Sequence, residues 1–358
     1  MTDKKEIQAT ISNEEIDEEM TEDEFWNILR LVAPGTNLRT ALNGSLKAGK
    51  GALIAIENDK LLPLIDGGFR INARFTPQRL IELTKMDGAI ILSKDMKKIN
   101  YANVLLTPDN KIKSLETGTR HKAAERTAKQ TGSLVIAISE RRHEINLYYK
   151  KIKHHINPTD ELLRKTSENI QILERQREMF DKHIEKLTNQ ELRNQQSLNQ
   201  AASAIQKGLM LKKISDDLQR YLIELGKEGT LLKTRLKEVI SDVIDETDLI
   251  IKDYSKVGLK NSKFTLENLS YDEITDKQEV LKGLGYESQK DLENKSIEGW
   301  RILSKTSLSE AEIASLIKEM GSLGKIIYSN FASHQVILGD QKSNLFKEEI
   351  SKVKMNSY

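Results

Sequence analysis

From Thr159 to about residue 255 the chain contains no proline, and its apolar residues recur at intervals of three and four. Ile170, Leu173, Phe180, Ile184 and Leu187 make one such stripe; Leu211, Ile214, Leu218, Leu222 and Leu225 make another. That spacing puts the apolar side chains on one face of a helix, which must be buried against a neighbour. The stretch is therefore expected to form an elongated helical bundle or spine. Breaks are expected in the glutamine- and asparagine-rich run from Asn189 to Gln200 and at Gly226 to Gly229.

Before Asn157-Pro158 the texture is different. Glu24 to Val32 carries Phe25, Ile28, Leu29 and Val32 on one side and stops at Pro34-Gly35, and a second short helix covers Thr36 to Leu46. Short apolar runs follow, bounded by turn residues. Ala52 to Ile56 turns at Asn58-Asp59 into Leu61 to Ile65; Ala89 to Leu92 and Tyr101 to Leu106 read as strands; Leu134 to Ser139 and Ile145 to Tyr149 read as a closing hairpin. Helices are expected at Pro77 to Lys85, capped by Thr76 with proline at the first helical position, and at Thr119 to Thr131. Alternating short strands and helices predict one α/β domain, a mixed sheet flanked by helices.

The expected organisation is an acidic tail over 1–23, the α/β domain over 24–150, the all-α spine over 151–285 and a small all-α domain over 286–358. Asn261 to Asp276 is polar and reads as a linker. Short helices are expected at Lys277 to Leu281, Ile297 to Lys305, Ser309 to Met320 with Ser309 as N-cap, Leu323 to Tyr328 and Gln341 to Val353.

Composition narrows the function classes. At 31% charged against 38% hydrophobic, much helix surface must face water, yet the formal net charge is only +2. No global field draws the chain to nucleic acid or membrane, so any such binding needs a local patch. There is no cysteine, which excludes disulfides, cysteine-ligated zinc and thiol nucleophiles. The segment Asn13 to Glu19 is acidic, unlike a targeting peptide, and no apolar run approaches the roughly 20 residues of a membrane span. A soluble, cytoplasmic protein with no membrane partner is expected.

Gly44-Ser45-Leu46-Lys47-Ala48-Gly49-Lys50 imitates a phosphate-binding P-loop. The motif needs a serine or threonine next, and a strand before it and helix after it; residue 51 is glycine and the context is reversed. A flexible turn is the better reading. His154-His155 and His183 lack metal-ligand spacing and read as surface residues.

Two stretches can carry chemistry. Gly118-Thr119-Arg120-His121-Lys122-Ala123-Ala124-Glu125-Arg126 opens a helix on a glycine, loading a hydroxyl, a guanidinium and an imidazole onto its N-terminus. Free N–H groups, the positive dipole end and a forked guanidinium together suit a phosphate. The same residues also describe a capped surface helix with solvated charges, and both readings stay open. Ser139-Glu140-Arg141-Arg142 stands at the carboxyl end of an apolar strand, where ligand crevices of α/β sheets open, or is a polar hairpin turn. Asp87-Gly88, which would add a carboxylate for a metal, and Asp66-Gly67-Gly68 are both turn pairs that nothing in the local sequence separates.

Asp87-Gly88-Ala89, the Gly118–Arg126 stretch and Ile138-Ser139-Glu140-Arg141-Arg142 resemble the diadenylate cyclase family. Leu31-Val32-Ala33-Pro34-Gly35-Thr36 and Ile65-Asp66-Gly67-Gly68-Phe69 are similar to its multidomain members, in which an N-terminal cyclase precedes a helical spine and a C-terminal helix-hairpin-helix domain. The resemblance is strong over about residues 24 to 150, fair along the spine and loose beyond 285. It implies condensation of two ATP into cyclic di-AMP with release of two pyrophosphates, by cyclase domains that face one another within an octamer. By position it implies Asp87 as the ligand of Mg2+ or Mn2+, helping to activate the ribose 3′-hydroxyl. Gly88 would contact the nucleotide through its backbone, and Leu106 would line the adenine pocket. Thr119, Arg120 and His121 would hold the phosphates, with Ser139 and Arg142 completing the triphosphate site.

The chain departs from the family twice. Lys122 stands where arginine is frequent, which keeps the charge but loses the planar fork. Ile337-Leu338-Gly339-Asp340 stands where the DNA-binding hairpin has glycine, an apolar residue and glycine, so the first glycine is missing. Two functions follow as expectations: a nucleotide cyclase coupled to the scanning of branched or damaged DNA, or a DNA-binding scaffold whose nucleotide site senses ATP or a dinucleotide without turnover.

Overall fold

The computed structural model describes residues 21–286 and 296–355, so most of the expected tail over 1–23 lies outside the described residues. The N-terminal part is a mixed sheet between two helical layers. In chain order it runs α1 (Glu22–Leu31), α2 (Asn37–Lys47), β1 (Ala52–Ile56), a 3-10 turn (Leu62–Leu64), β2 (Ile65–Asp66), β3 (Phe69–Arg74), α3 (Pro77–Leu83), β4 (Ala89–Leu92), β5 (Lys98–Leu106), α4 (Thr119–Thr131), β6 (Val135–Ser139), β7 (Glu144–Tyr149) and β8 (Ile152–Ile156). The strand order is β2-β5-β4-β1-β6-β7-β8, with β3 also paired to β5. Among the described residues only β1 and β4 run parallel; the other pairs are antiparallel.

The central strands read as unbroken apolar runs because both of their faces are covered. Ala52 and Ile54 of β1 join the core under α1, α2 and α3, with Leu29, Leu42 and Leu80. Leu53 and Ala55, one residue out of phase, join the opposite core with Ala124 and Ala128 of α4. The helix expected at Pro77 is present, with the Thr76 hydroxyl accepting from the Arg79 N–H at 3.3 Å.

Several expectations need correction. Leu61 to Ile65 is not one strand: the proline-centred turn occupies most of it, and β2 begins only at Ile65. The strand β3 was not expected, because its residues are mostly exposed and it pairs only with β5. The boundary set at residue 150 falls in the turn between β7 and β8, and the sheet continues to Ile156.

Beyond the sheet come α5 (Thr159–Leu192), α6 (Leu198–Leu225), a 3-10 turn at Gly226–Gly229, α7 (Thr230–Ile240), α8 (Val243–Tyr254), α9 (Leu259–Glu267), α10 (Tyr271–Thr275), α11 (Lys277–Gly283), α12 (Trp300–Leu303), α13 (Glu310–Met320), α14 (Leu323–Tyr328), α15 (Phe331–Leu338) and α16 (Asp340–Met355). Both expected breaks occur. The expected linker over 261–276 instead carries two helices, the second opened by a Ser270–Glu273 capping box that a polar composition concealed. Ser309 caps α13 with Glu312 as its partner, and α15 was not expected.

Packing divides the chain at other places than 150 and 285. One unit takes the residues up to Lys165 together with Arg220–Leu231; the other takes Thr166–Gln219 and the residues from Leu232 on. In the first unit the returning segment is tied in by polar contacts. The Glu224 carboxylate accepts the Asn157 N–H at 3.3 Å and faces His154 at 3.4 Å, so His154 is not a free surface residue. A Cβ at Gly226, where φ is +54°, would lie 2.8 Å from the Ala33 methyl. Arg39, almost fully buried, donates to the Asn157 carbonyl at 2.8 Å. In the second unit, Leu187, Ala201, Ile205, Ile250 and Ile251 share one apolar core with Ile302, Leu316, Ile326 and Phe346.

Candidate active site

One end of the sheet gathers the polar residues singled out from the sequence. β1 and β4 start there, and β5 and β6 finish there. Ala52 of β1 pairs with Ile138 of β6, and Leu53 pairs with Ala89 of β4. The helix α4 leads by a short turn into β6, which returns its N-terminus to the same end. There Glu116 to His121 and Ser139 to Arg142 line an open cleft of about 500 Å³. Thr119, Arg120, His121, Ser139 and Arg142 thus come together.

Gly118 is the N-cap of α4 in extended conformation, and no side chain caps the helix. The N–H groups of its first turn are left for a ligand or water, the arrangement that binds anions. The loop delivering Gly118 is pinned by the far side of α4. The Glu125 carboxylate accepts from the Ser114 hydroxyl at 2.5 Å and the Leu115 N–H at 3.1 Å. Arg126 donates to the Ile112 carbonyl at 3.0 Å and to Asn110 at 2.9 Å, and Lys129 donates to the Lys113 carbonyl at 3.0 Å. The charges of this helix are therefore divided: Arg120 and His121 face the cleft, and Glu125, Arg126 and Lys129 hold the loop that leads to Gly118.

Three residues that the sequence did not single out support His121. Its ring stands edge-on to Tyr148, with centroids 6.4 Å apart at 77°. The Tyr148 hydroxyl donates to Glu116 at 2.9 Å, and Lys153 pairs with the same carboxylate oxygen at 2.6 Å. Burial pushes the Glu116 carboxyl up, but the Lys153 and Tyr148 hydrogen bonds outweigh it and hold its pKa below the ordinary value. Burial also pushes the His121 imidazole below its usual value; Glu116 opposes this, and Lys153, Arg120 and Arg142 add to it. His121 is thus held neutral near pH 7, with one ring N–H to donate. Ser139 accepts the Arg142 N–H at 3.2 Å, which closes the β6–β7 turn over the cleft.

Asp87, Gly88 and Leu106 lie at the same sheet end but do not line that cleft. Asp87 is exposed just before β4. β1 separates it from the β6 end, a span of roughly 10 Å at ordinary strand spacing. Gly88 has φ +85°, and a Cβ there would lie 2.8 Å from the Asn103 carbonyl carbon, so only glycine fits. Gly68 is as tightly enclosed, with φ +73° and a Cβ 2.6 Å from the Ala102 carbonyl oxygen. What separates Asp87-Gly88 from Asp66-Gly67-Gly68 is place: Asp66 stands on the β2 edge of the sheet and Asp87 before the interior strand β4. Leu106 is buried in the core beneath α4, while its neighbour Leu105 is 61% exposed.

Among the described residues no three histidine, aspartate or glutamate side chains group to hold a metal. Asp87 offers a single exposed carboxylate. That donor set fits a magnesium-type ion shared with substrate phosphates, which needs only one or two protein carboxylates, and does not fit an all-protein cage.

An uncapped helix N-terminus, two arginines, a histidine and a strand-end serine at one end of a mixed sheet make a donor set suited to a nucleotide phosphate. The family described as the DisA bacterial checkpoint controller nucleotide-binding domain (DAC) matches residues 39–152, and the DisA bacterial checkpoint controller linker region matches residues 156–293. The chain is 39% identical over 336 residues to the DNA integrity scanning protein DisA of Carboxydothermus hydrogenoformans, covering 91% of this chain and 96% of that one. It is 39% identical over 325 residues to the Acetivibrio thermocellus protein of the same name, covering 89% and 90%, and 38% identical over 341 residues to that of Bacillus subtilis, covering 93% and 94%. The chain belongs to the DisA family of diadenylate cyclases. A divalent metal requirement comes with that family. Among the described residues no helix is long and apolar enough to cross a membrane.

Proposed function

We propose that the chain condenses two ATP molecules into cyclic di-AMP and two pyrophosphates, each subunit holding one ATP and two cyclase domains facing one another. The observation that carries this reading is the meeting of the uncapped α4 N-terminus with Arg120, His121, Ser139 and Arg142 around one cleft. In each half-reaction the ribose 3′-oxygen of one ATP attacks the α-phosphorus of the other. The bond to the pyrophosphate breaks, and pyrophosphate leaves with its electron pair. Such transfer needs in-line positioning and charge neutralisation more than a covalent nucleophile, which suits a site with no cysteine.

Thr119, Arg120, His121, Ser139 and Arg142 hold the triphosphate, Gly88 contacts the nucleotide through its backbone, and Leu106 lies on the adenine side. Asp87 is the metal ligand and helps activate the 3′-hydroxyl. Bound Mg2+ or Mn2+ would neutralise charge on the phosphates and the leaving pyrophosphate. Turnover of ATP with either metal, resolving cyclic dinucleotide by chromatography, tests the reading. Bound ATP without product would leave a scaffold that only senses nucleotide.

The C-terminal residues support a DNA-binding reading, after the printed name of the relatives. α15 and α16 are joined through Gly339 at φ +76°, a helical hairpin in which Ile337 replaces the first glycine of the usual phosphate-binding turn. The preferred DNA is branched or damaged. Affinity for a four-way junction that falls with salt is expected; no binding at low salt removes this part of the proposal. The assembly is an octamer in the cytoplasm with facing cyclase domains, and its mass in solution checks the subunit number.

A further inference from the structure

The turn that imitates a P-loop ends on a residue that the site uses in another way. Gly51 lies between α2 and β1, at the sheet end where the cleft opens. A Cβ built on it would stand 2.1 Å from Nη1 of Arg120 and 2.9 Å from its Cζ. On another side the Ile138 carbonyl oxygen would be 3.2 Å away. The guanidinium of Arg120 therefore occupies the volume that any other residue at position 51 would fill.

The backbone does not need a glycine here. Gly49, two residues earlier, has φ +64°, but Gly51 is absent from the left-handed region. Nor is Arg120 held in place by charge: among the described residues it makes no ion pair. The guanidinium rests on the bare backbone at the mouth of β1, and its donors stay uncommitted. A forked donor fixed in this way before the ligand arrives needs little reorganisation when phosphate binds.

We propose that Gly51 is a positioning residue for the cyclase reaction: its missing side chain is the seat that aims Arg120 at the triphosphate. This rests on the proposed role of Arg120 as a phosphate ligand.

The test is a double-mutant cycle on the full chain with Gly51→Ala and Arg120→Ala. Gly51→Ala should fold, since its φ is ordinary and the atom it displaces most is the free end of a flexible side chain. Its thermal melting should match wild type. Its kcat/KM for ATP should fall by about 10- to 100-fold, the scale of a misplacement near 1 Å. Arg120→Ala should lose more, and adding Gly51→Ala to it should cost nothing further, because the residue being positioned is gone. A Gly51 with only a packing role would instead give losses that multiply. Calorimetric titration with a non-hydrolysable ATP analogue should repeat the pattern in affinity, apart from turnover.

Wild-type kinetics in Gly51→Ala, or an undiminished Gly51 effect on the Arg120→Ala background, overturns the proposal alone. Wild-type turnover and binding in Arg120→Ala removes the phosphate role of Arg120 first, and the proposal with it. Where Gly51→Ala melts early, Gly51→Ala with Arg120→Lys separates the causes. Lysine lacks Nη1, the atom nearest the methyl, and its Nζ, at the place of Cζ, has only a little further to yield, so a structural fault persists while a steric one is relieved.

Discussion

Replacing Arg301 by methionine should unfold the C-terminal unit far more readily than removal of a surface arginine would. Arg301 opens into the interior from α12 with no exposed surface. It pairs with Glu191, donates to Glu246 at 2.9 Å and reaches the Thr188 hydroxyl at 3.0 and 3.1 Å. Glu191 has no exposed side-chain surface either, so Arg301→Met leaves a buried carboxylate facing only the Tyr254 hydroxyl at 3.0 Å. Stranding a buried charge in this way costs about 3–5 kcal/mol. Glu246 is spared, because Lys305 stays with it at 3.1 Å. The loss is thus mostly that of Glu191, and Arg301→Met with Glu191→Gln should return to within about 1–2 kcal/mol of wild type, the glutamine still accepting from Tyr254. Urea unfolding followed by Trp300 fluorescence reads this directly, in a Trp26→Phe background because the chain has two tryptophans. A single replacement costing under about 1 kcal/mol, or a double one as damaging as the single, refutes the stranded-charge argument.

The same unit should be sensitive to pH through Asp253, which accepts the N–H groups of Gly299, Trp300 and Arg301 at 2.9, 2.8 and 3.0 Å. Burial pushes its carboxyl up to about 6, only partly offset by those hydrogen bonds. A raised folded pKa stabilises fully below the ordinary carboxylate value and is lost as pH rises through the folded one. The difference in unfolding free energy between wild type and Asp253→Asn should therefore shrink by up to about 3 kcal/mol between about pH 4 and 6 and then level off; a flat difference contradicts it. Near the cleft, Glu116→Gln removes the charge that holds the His121 pKa up, so the imidazole titration followed by NMR should move lower still, and upward movement counts against the Glu116 bracket. Asp87→Asn should reduce cyclic di-AMP synthesis by about 10²-fold or more while ATP still binds with reduced strength. Unchanged turnover would take Asp87 out of the metal role.

What could be read from the sequence depended on whether a residue's role was local. β1, β4 and β6 announced themselves because burial on both faces demands apolar residues almost throughout. Thr76-Pro77 and Ser309 marked helix starts through caps that act within one turn. β3 and β8 were missed because edge strands are defined by a neighbour's hydrogen bonds, with little burial of their own. The Ser270–Glu273 box was present in the letters but was outweighed by the polarity of its surroundings. At the site, the Gly118–His121 cluster and Ser139 were legible because each is a short motif at an element end. Glu116, Tyr148 and Lys153 were not, since they meet His121 only when a loop and two strands come together. The one local sign of Gly51 was a failed P-loop, and its partner lies in α4.

The segment Arg220–Leu231 completes the N-terminal unit although it follows that unit's last strand by the length of two long helices. On the ribosome, the sheet and its covering helices are finished once residue 165 has emerged. The segment that carries Glu224 to Asn157 and Gly226 to Ala33 is then still unmade. At roughly 5–20 residues per second the nascent cyclase waits about 3–13 seconds for its closing piece, with the surface around Trp26 uncovered. A gene fragment cut at the end of the sheet would make that wait permanent.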